Sequence, residues 1–230
     1  MKVNMNKLNV IYEDNHIIVV EKQPNIPSQA DKTEDIDMLT IIKEYIKEKY
    51  NKPGNVYLGL VHRLDRPVGG VMIFAKTSKS ASRLSDQVRE KIFKKKYLAV
   101  VDGKFEQNKG TLEDYLYKDE RNNISKVVNK DKKNAKLAKL DYDVIKYDEV
   151  KKLSLVKVNL HTGRHHQIRV QLSNFGHSIF GDQKYGTRGQ GKQIALWAYE
   201  LTINHPITKE EMTFKDLPES VGTWCILRNR

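Results

Sequence analysis

The chain has 230 residues, 39% hydrophobic and 30% charged, a composition that supports a globular core. Its single cysteine, Cys225, excludes an internal disulfide and a Cys-x-x-Cys zinc site. The 41 basic and 29 acidic residues leave a formal charge of +12, which favours a polyanionic partner such as RNA, DNA or anionic lipid, and no apolar run approaches the roughly 18 residues of a membrane span.

The opening MKVNMNKLNV lacks the apolar stretch of a signal peptide, so a cytoplasmic protein is expected. Residues 10–12 and 17–20 are β-branched runs around Glu13-Asp14-Asn15-His16, which predicts a hairpin. Asp35 or Asp37 can cap a helix over about 38–50, with Leu39, Ile42 and Ile46 on one face and Asn51-Lys52-Pro53-Gly54 as its stop. Residues 71–75 read as a buried strand. Ser78 then caps a helix that turns Ala81, Leu84, Val88 and Ile92 inward. Residues 97–101 form a strand stopped by Asp102-Gly103. The lysine-rich stretch 104–150 is strand-like and is expected to hold a long surface loop. Leu153, Leu155, Val158 and Leu160 fall on a mostly alternating strand. Residues 164–175 read as a short helix packed through Ile168 and Leu172, with Gly176 as its stop. Residues 194–204 and 211–216 close the chain as a hairpin. The sum is an α+β chain, rich in strands, with about three helices and one domain over 1–230.

Four segments carry polar chemistry. In His62-Arg63-Leu64-Asp65-Arg66 a carboxylate sits between two arginines, whose charge would hold it ionised, and a Val68-Gly69-Gly70 turn follows. Its plainer reading is a surface ion pair at a strand end. His161 to Arg169 gathers three histidines, Arg164 and Arg169 after Thr162-Gly163, groups that grip phosphate. The same run could be an ordinary amphipathic helix, and it lacks the His-Glu-x-x-His spacing of a zinc site. Lys94-Lys95-Lys96 precedes Tyr97, whose ring could be core or could stack on a base. Gly186 to Lys192 resembles a phosphate loop only weakly and reads as a mobile surface loop. A further basic strip, residues 126–139, holds six lysines against one aspartate and suits contact with phosphates.

Taken in order, these segments resemble the RluA-type pseudouridine synthases. The likeness rests on His62-Arg63-Leu64-Asp65, Ala75-Lys76-Thr77, Lys95 to Ala99, Thr162 to Val170, Gly176 to Asp182 with Tyr185-Gly186, and Leu201 to Pro206, and runs from about residue 8 to 218. It implies a mixed, mostly antiparallel sheet with a catalytic cleft flanked by helices and loops. It implies that Asp65 is the essential carboxylate, that Arg169 forms the ion pair orienting it, and that Tyr97 lies against the target base. His62, Arg63, Lys95, Arg164 and His166 are the expected RNA contacts, Arg63 where the RNA is distorted. Ribosomal or transfer RNA is the implied substrate, with no cofactor, no metal, no membrane and no obligatory protein partner. The small accessory RNA-binding domain of many relatives is not expected, because family-like sequence begins near Leu8. Two positions depart from the family pattern: Val68-Gly69 replaces a usual Thr-Ser, and His165 a usual Thr. Two other classes share features with this pattern. A non-catalytic RNA-binding or ribosome-assembly protein would not need Asp65, Tyr97 and Arg169 together, and a metal-dependent nuclease or phosphatase would lose activity to a chelator.

Overall fold

Local signals set most element boundaries in the structure, a computed structural model that describes residues 8–186, 191 and 193–228. The strands are β1 (Val10–Glu13), β2 (Ile17–Lys22), β3 (Gly59–Leu60), β4 (Gly69–Ala75), β5 (Lys94–Asp102), β6 (Lys109–Asp119), β7 (Ile124–Val128), β8 (Lys136–Asp148), β9 (Leu153–Leu160), β10 (Leu196–Asn204) and β11 (Glu211–Lys215). The α-helices are α1 (Met38–Lys49), α2 (Ser78–Arg89) and α3 (Gln167–Asn174). The chain divides into two compact units: residues up to Lys94 with Ala198–Leu217, and Lys95–Trp197 with the residues from Pro218 on. The class is the expected α+β.

In the first unit β1 and β2 form the predicted hairpin, because the Asp14 carboxylate accepts from the His16 and Ile17 backbone N–H groups at 2.7 Å and folds the turn back. The strand order runs β1-β2-β4-β10-β11, with β3 also on β4. Pairing of β10 with β11 is the predicted closing hairpin. One face packs Ile17, Val19, Val71, Ile73 and Ala75 against Leu84 of α2, Phe93, Leu201, Ile203 and Phe214. Each such side chain, fully buried, contributes about 1.5–3 kcal/mol. Of the two candidate caps of α1, Asp37 is the one used: its Oδ1 accepts from Leu39 N at 2.9 Å and Thr40 N at 3.3 Å. Ile42 and Ile46 are buried as expected, joined by Met38 and Ile41, whereas Leu39 is only half-buried. Thr77, not Ser78, caps α2, accepting from Ser80 N. That helix also stops early. Lys91 turns left-handed at φ 60° and Ile92 N bonds back to Gln87 O, so Ile92 lies past the end and Val88 is exposed.

The second unit is an antiparallel sheet in the order β5-β9-β8-β6-β7, so that β6 pairs with β8 and β5 with β9. Here the expected long surface loop within 104–150 is corrected. Three strands fill the stretch, and the lysines line their exposed sides because strand alternation puts Leu112, Leu116, Ala138, Leu140 and Tyr142 inward. Helix α3 begins three residues later than predicted, since His166 adopts the left-handed conformation at φ 53°. It ends as predicted at Gly176, at φ 93°, where His177 N reaches Leu172 O and Gly176 N reaches Ser173 O. Ile168 and Leu172 are buried. Of the Gly186 to Lys192 segment, 187–190 and 192 lie outside the described residues.

Candidate active site

Asp65 stands on the loop between β3 and β4, and buried polar groups clamp the loop's backbone. Lys22, at the end of β2, is fully buried and donates through Nζ to three carbonyls: Val68 O at 2.7 Å, Arg66 O at 2.9 Å and Gln23 O at 3.1 Å. An ammonium has three donors, so the match is complete. Ser28 Oγ donates to Leu64 O at 2.9 Å and accepts from Leu64 N at 3.2 Å. Asn25 N donates to Arg66 O, and Val68 N closes a turn onto Asp65 O at 2.9 Å. The carbonyl of Val68 thus serves the loop as an acceptor for Lys22. Gly70, at φ 116°, permits the next approach: a Cβ there would lie 2.2 Å from Ala198 O.

Within His62-Arg63-Leu64-Asp65 the side chains alternate. Leu64 is buried, Arg63 exposed, and Asp65 half-exposed. His62 accepts from Ile73 N at Nε2 (3.2 Å) and packs its ring edge-on against Phe93. Of the two flanking arginines, Arg66 has partners of its own outside the motif. Its guanidinium donates to Thr33 Oγ1 at 2.8 Å and pairs with Asp35 at 2.5 Å. The charge of Lys22 interacts with that of Asp65. Burial lowers the Lys22 ammonium to about 7; the charge of Asp65 opposes that shift and the charge of Arg66 adds to it.

In the second unit Tyr97 is buried on β5, opposite Val158 of β9. Lys95, two residues before, is half-buried, and burial lowers its pKa. Its Nζ sits where Gly163 leaves room, 3.3 Å from the position a Cβ there would take. The turn before α3 is tied to β8: Thr162 Oγ1 accepts from Lys139 N and donates to Gln167 Oε1, both at 2.8 Å. Arg164 is exposed and donates from Nε to Leu137 O. His166 is buried, and burial, helped by the charges of Arg169 and His165, pushes its pKa down to about 2, so it is neutral at physiological pH. His165 stacks on it at 3.7 Å and meets Ser125 Oγ through Nδ1 at 3.0 Å. Arg169 is buried and makes a two-point ion pair with Asp182, Nε to Oδ2 and Nη2 to Oδ1, each 2.7 Å.

Lys22, Ser28 and Asp182 were not anticipated as parts of this machinery. A lysine after four apolar strand residues reads as a solvent-facing strand end, and only the tertiary fold turns it under the loop. The Gly181-Asp182 pair lay within a family-like segment, and an aspartate one glycine after the apolar Ile179-Phe180 was the available signal.

A family model described as RNA pseudouridylate synthase matches residues 16–174. YjbO of Bacillus subtilis, named an uncharacterized RNA pseudouridine synthase, is 34% identical over 221 residues, covering 94% of this chain and 74% of its own length. The tRNA pseudouridine synthase C of Haemophilus influenzae is 30% identical over 227 residues, covering 90% of this chain and 91% of its own. Ribosomal large subunit pseudouridine synthase C of Buchnera aphidicola is 35% identical over 177 residues, 77% of this chain and 54% of its own. Among solved structures, human RNA Pseudouridylate Synthase Domain Containing 1 superposes with a TM-score of 0.78 at 20% identity, over 97% of this chain and 89% of its own, a likeness of fold.

Proposed function

The chain belongs to the RNA pseudouridylate synthase family and isomerises uridine in RNA, and from that premise we propose that Asp65 is the essential carboxylate, Arg169 the cation that fixes its geometry, and Tyr97 the ring against the target base. Pseudouridine formation breaks the C1′–N1 bond, turns the uracil, and joins C1′ to C5. The C5 proton is lost and N1 gains one, so substrate and product are isomers and the stoichiometry needs no cofactor. A uracil within a helix is flipped out first, at a cost of a few kcal/mol. Stacking on Tyr97, at roughly 1–3 kcal/mol per base, offsets that cost. Attack of the carboxylate on C1′, attack on C6 and removal of the 2′ proton all require the same two things of Asp65, negative charge and fixed position. A guanidinium has five donors, so holding Asp182 does not exhaust Arg169.

Arg63, Lys95 and Arg164 grip RNA phosphates, and His62 and His166 act in RNA binding through the loops they brace. The enzyme acts on ribosomal or transfer RNA, the substrates in the names of two relatives. It works as one catalytic domain in the cytoplasm without an obligatory protein partner. Among the described residues no helix is long and apolar enough to cross a membrane.

One observation carries the reading: in a chain that matches the family across this motif, a half-exposed carboxylate stands on a loop whose backbone Lys22 clamps from beneath. The test is Asp65→Asn. It removes the charge and keeps the shape, so the variant should bind RNA with nearly unchanged affinity and form no pseudouridine. Measurable product from purified Asp65→Asn would end the assignment.

A further inference from the structure

Arg169 can orient another group only if it is itself immobile, and the second unit contains the means. Both oxygens of Asp182 hold the Nε–Nη2 edge of the guanidinium. The Asp182 side chain is fully buried, and its Oδ1 also accepts from Lys184 N at 2.9 Å and Tyr185 N at 3.2 Å. The turn that carries it closes through Gly186 N to Asp182 O at 2.9 Å, and a Cβ on Gly186 would lie 2.7 Å from that carbonyl. The ring of Tyr185 centres 5.2 Å from the guanidinium carbon, within range of a cation–π contact. Its hydroxyl accepts from Ser125 N of β7 at 2.6 Å and meets Nδ1 of His166 at 2.8 Å. Neutral His166 shares one proton with that hydroxyl across the contact.

We propose that Asp182 and Tyr185 are positioning residues for Arg169, Asp182 fixing the edge of its guanidinium and Tyr185 its plane. The proposal rests on the reading of Arg169 as part of the reaction. A buried ion pair contributes little net stability once desolvation is counted. Its value here is geometric: two constraints on one planar group, one held by the N–H groups of Lys184 and Tyr185 and the other by Ser125 N of β7. Tyr185 also links that group to β7, at the start of the lysine strip 126–139.

The experiment follows single-turnover pseudouridine formation with enzyme in excess, on unmodified transcripts of transfer RNA and large-subunit ribosomal RNA, with RNA affinity measured in parallel. Asp182→Asn should slow the step about 100-fold, the scale of a misplacement of about 1 Å, while RNA affinity changes less than about threefold. Tyr185→Leu should slow it about tenfold, and Tyr185→Phe, which keeps the ring, should lose less. Because both act through Arg169, neither should slow the Arg169→Ala enzyme further, a non-additivity that a merely structural role would not produce. A rate for Asp182→Asn within twofold of wild type, or an undiminished effect in the Arg169→Ala background, overturns the proposal. Should Asp182→Asn not fold, Tyr185→Leu carries the same cycle. Wild type inactive on both transcripts, or Arg169→Ala at full rate, would instead sink the functional reading. The Arg169 Nε–H resonance then decides the positioning alone: slow solvent exchange in wild type and fast exchange in the Tyr185 and Asp182 variants support it, and equal protection in all refutes it.

Discussion

Lys22 brings two opposing forces to one atom. Its Nζ is surrounded by three carbonyl oxygens, which favour the ammonium, yet the side chain has no exposure to water, which disfavours it. The outcome is a pKa lowered from 10.5 to about 7. Between those two values the unfolded chain holds a proton that the folded chain releases. Stability from this group therefore rises with pH from about 7 toward 10.5, and the penalty is fully present below 7. Relative to Lys22→Met, the wild-type protein should gain on the order of a few kcal/mol between pH 7 and pH 9.5, at about 1.4 kcal/mol per pKa unit. Urea unfolding of both proteins at the two pH values measures the difference. Parallel pH dependence would mean that Lys22 does not titrate in this window.

At the scale of elements, the edge of the first unit depends on two carboxylates. Asp37 caps α1 through both oxygens, the second accepting from Thr40 Oγ1 at 2.9 Å. Asp37→Ala should lower stability by about 1 kcal/mol, read as a shift of the urea midpoint at constant slope. Glu13 joins β1 to α1 and to the segment after β4, accepting from Lys49 and Lys76 at 2.7 Å and from Tyr50 at 2.9 Å. Burial alone would raise its pKa, but these hydrogen bonds outweigh burial and hold it down at about 2. The sign is the reverse of that for Lys22. Stability from Glu13 is present above about 4.5 and is lost as pH falls toward about 2, so Glu13→Gln should flatten the acid limb of unfolding in that window. Element types were largely legible because periodicity reports them directly: the two hairpins, α1 and the stop of α3 fall where the pattern puts them. The misses have two causes. Lys91 and His166 adopt left-handed backbone, which no spacing rule reports. Strands β6, β7 and β8 hid because their exposed sides are lysine-rich, and half-exposed strands with charged outer faces resemble loops in composition.

For the whole molecule, charge is the property that acts over distance, and the order of segments resembling the family was what made Asp65, Tyr97 and Arg169 legible before any coordinate. Their supports were not legible, because Lys22 and Asp182 reach their partners only through the fold, across 44 to 46 residues for Lys22 and 13 for Asp182. The formal +12 charge is more general still, and its densest part is now placed. Lys130, Lys132 and Lys133 lie exposed on the turn between β7 and β8, a turn closed by Lys132 N to Asn129 O and Ala135 N to Lys132 O. Lys126 and Lys139 on the flanking strands face Asp119 at 3.8 Å and Glu113 at 3.1 Å, which damps their attraction for phosphate. The turn lysines should therefore dominate contact with RNA. Replacing all three by alanine should weaken RNA binding most at low salt. It should also reduce the slope of log K against log salt by about 0.7–0.9 for each phosphate no longer neutralised, a total of about 2 to 3. Exposed turn residues carry little of the fold, the contact of Lys132 over the Tyr117 ring at 5.4 Å included, so thermal unfolding should be unchanged within about 0.5 kcal/mol. A titration of affinity across salt concentrations separates this from general destabilisation, which would lower affinity without changing the slope. An unaltered slope would show that RNA runs elsewhere on the basic surface.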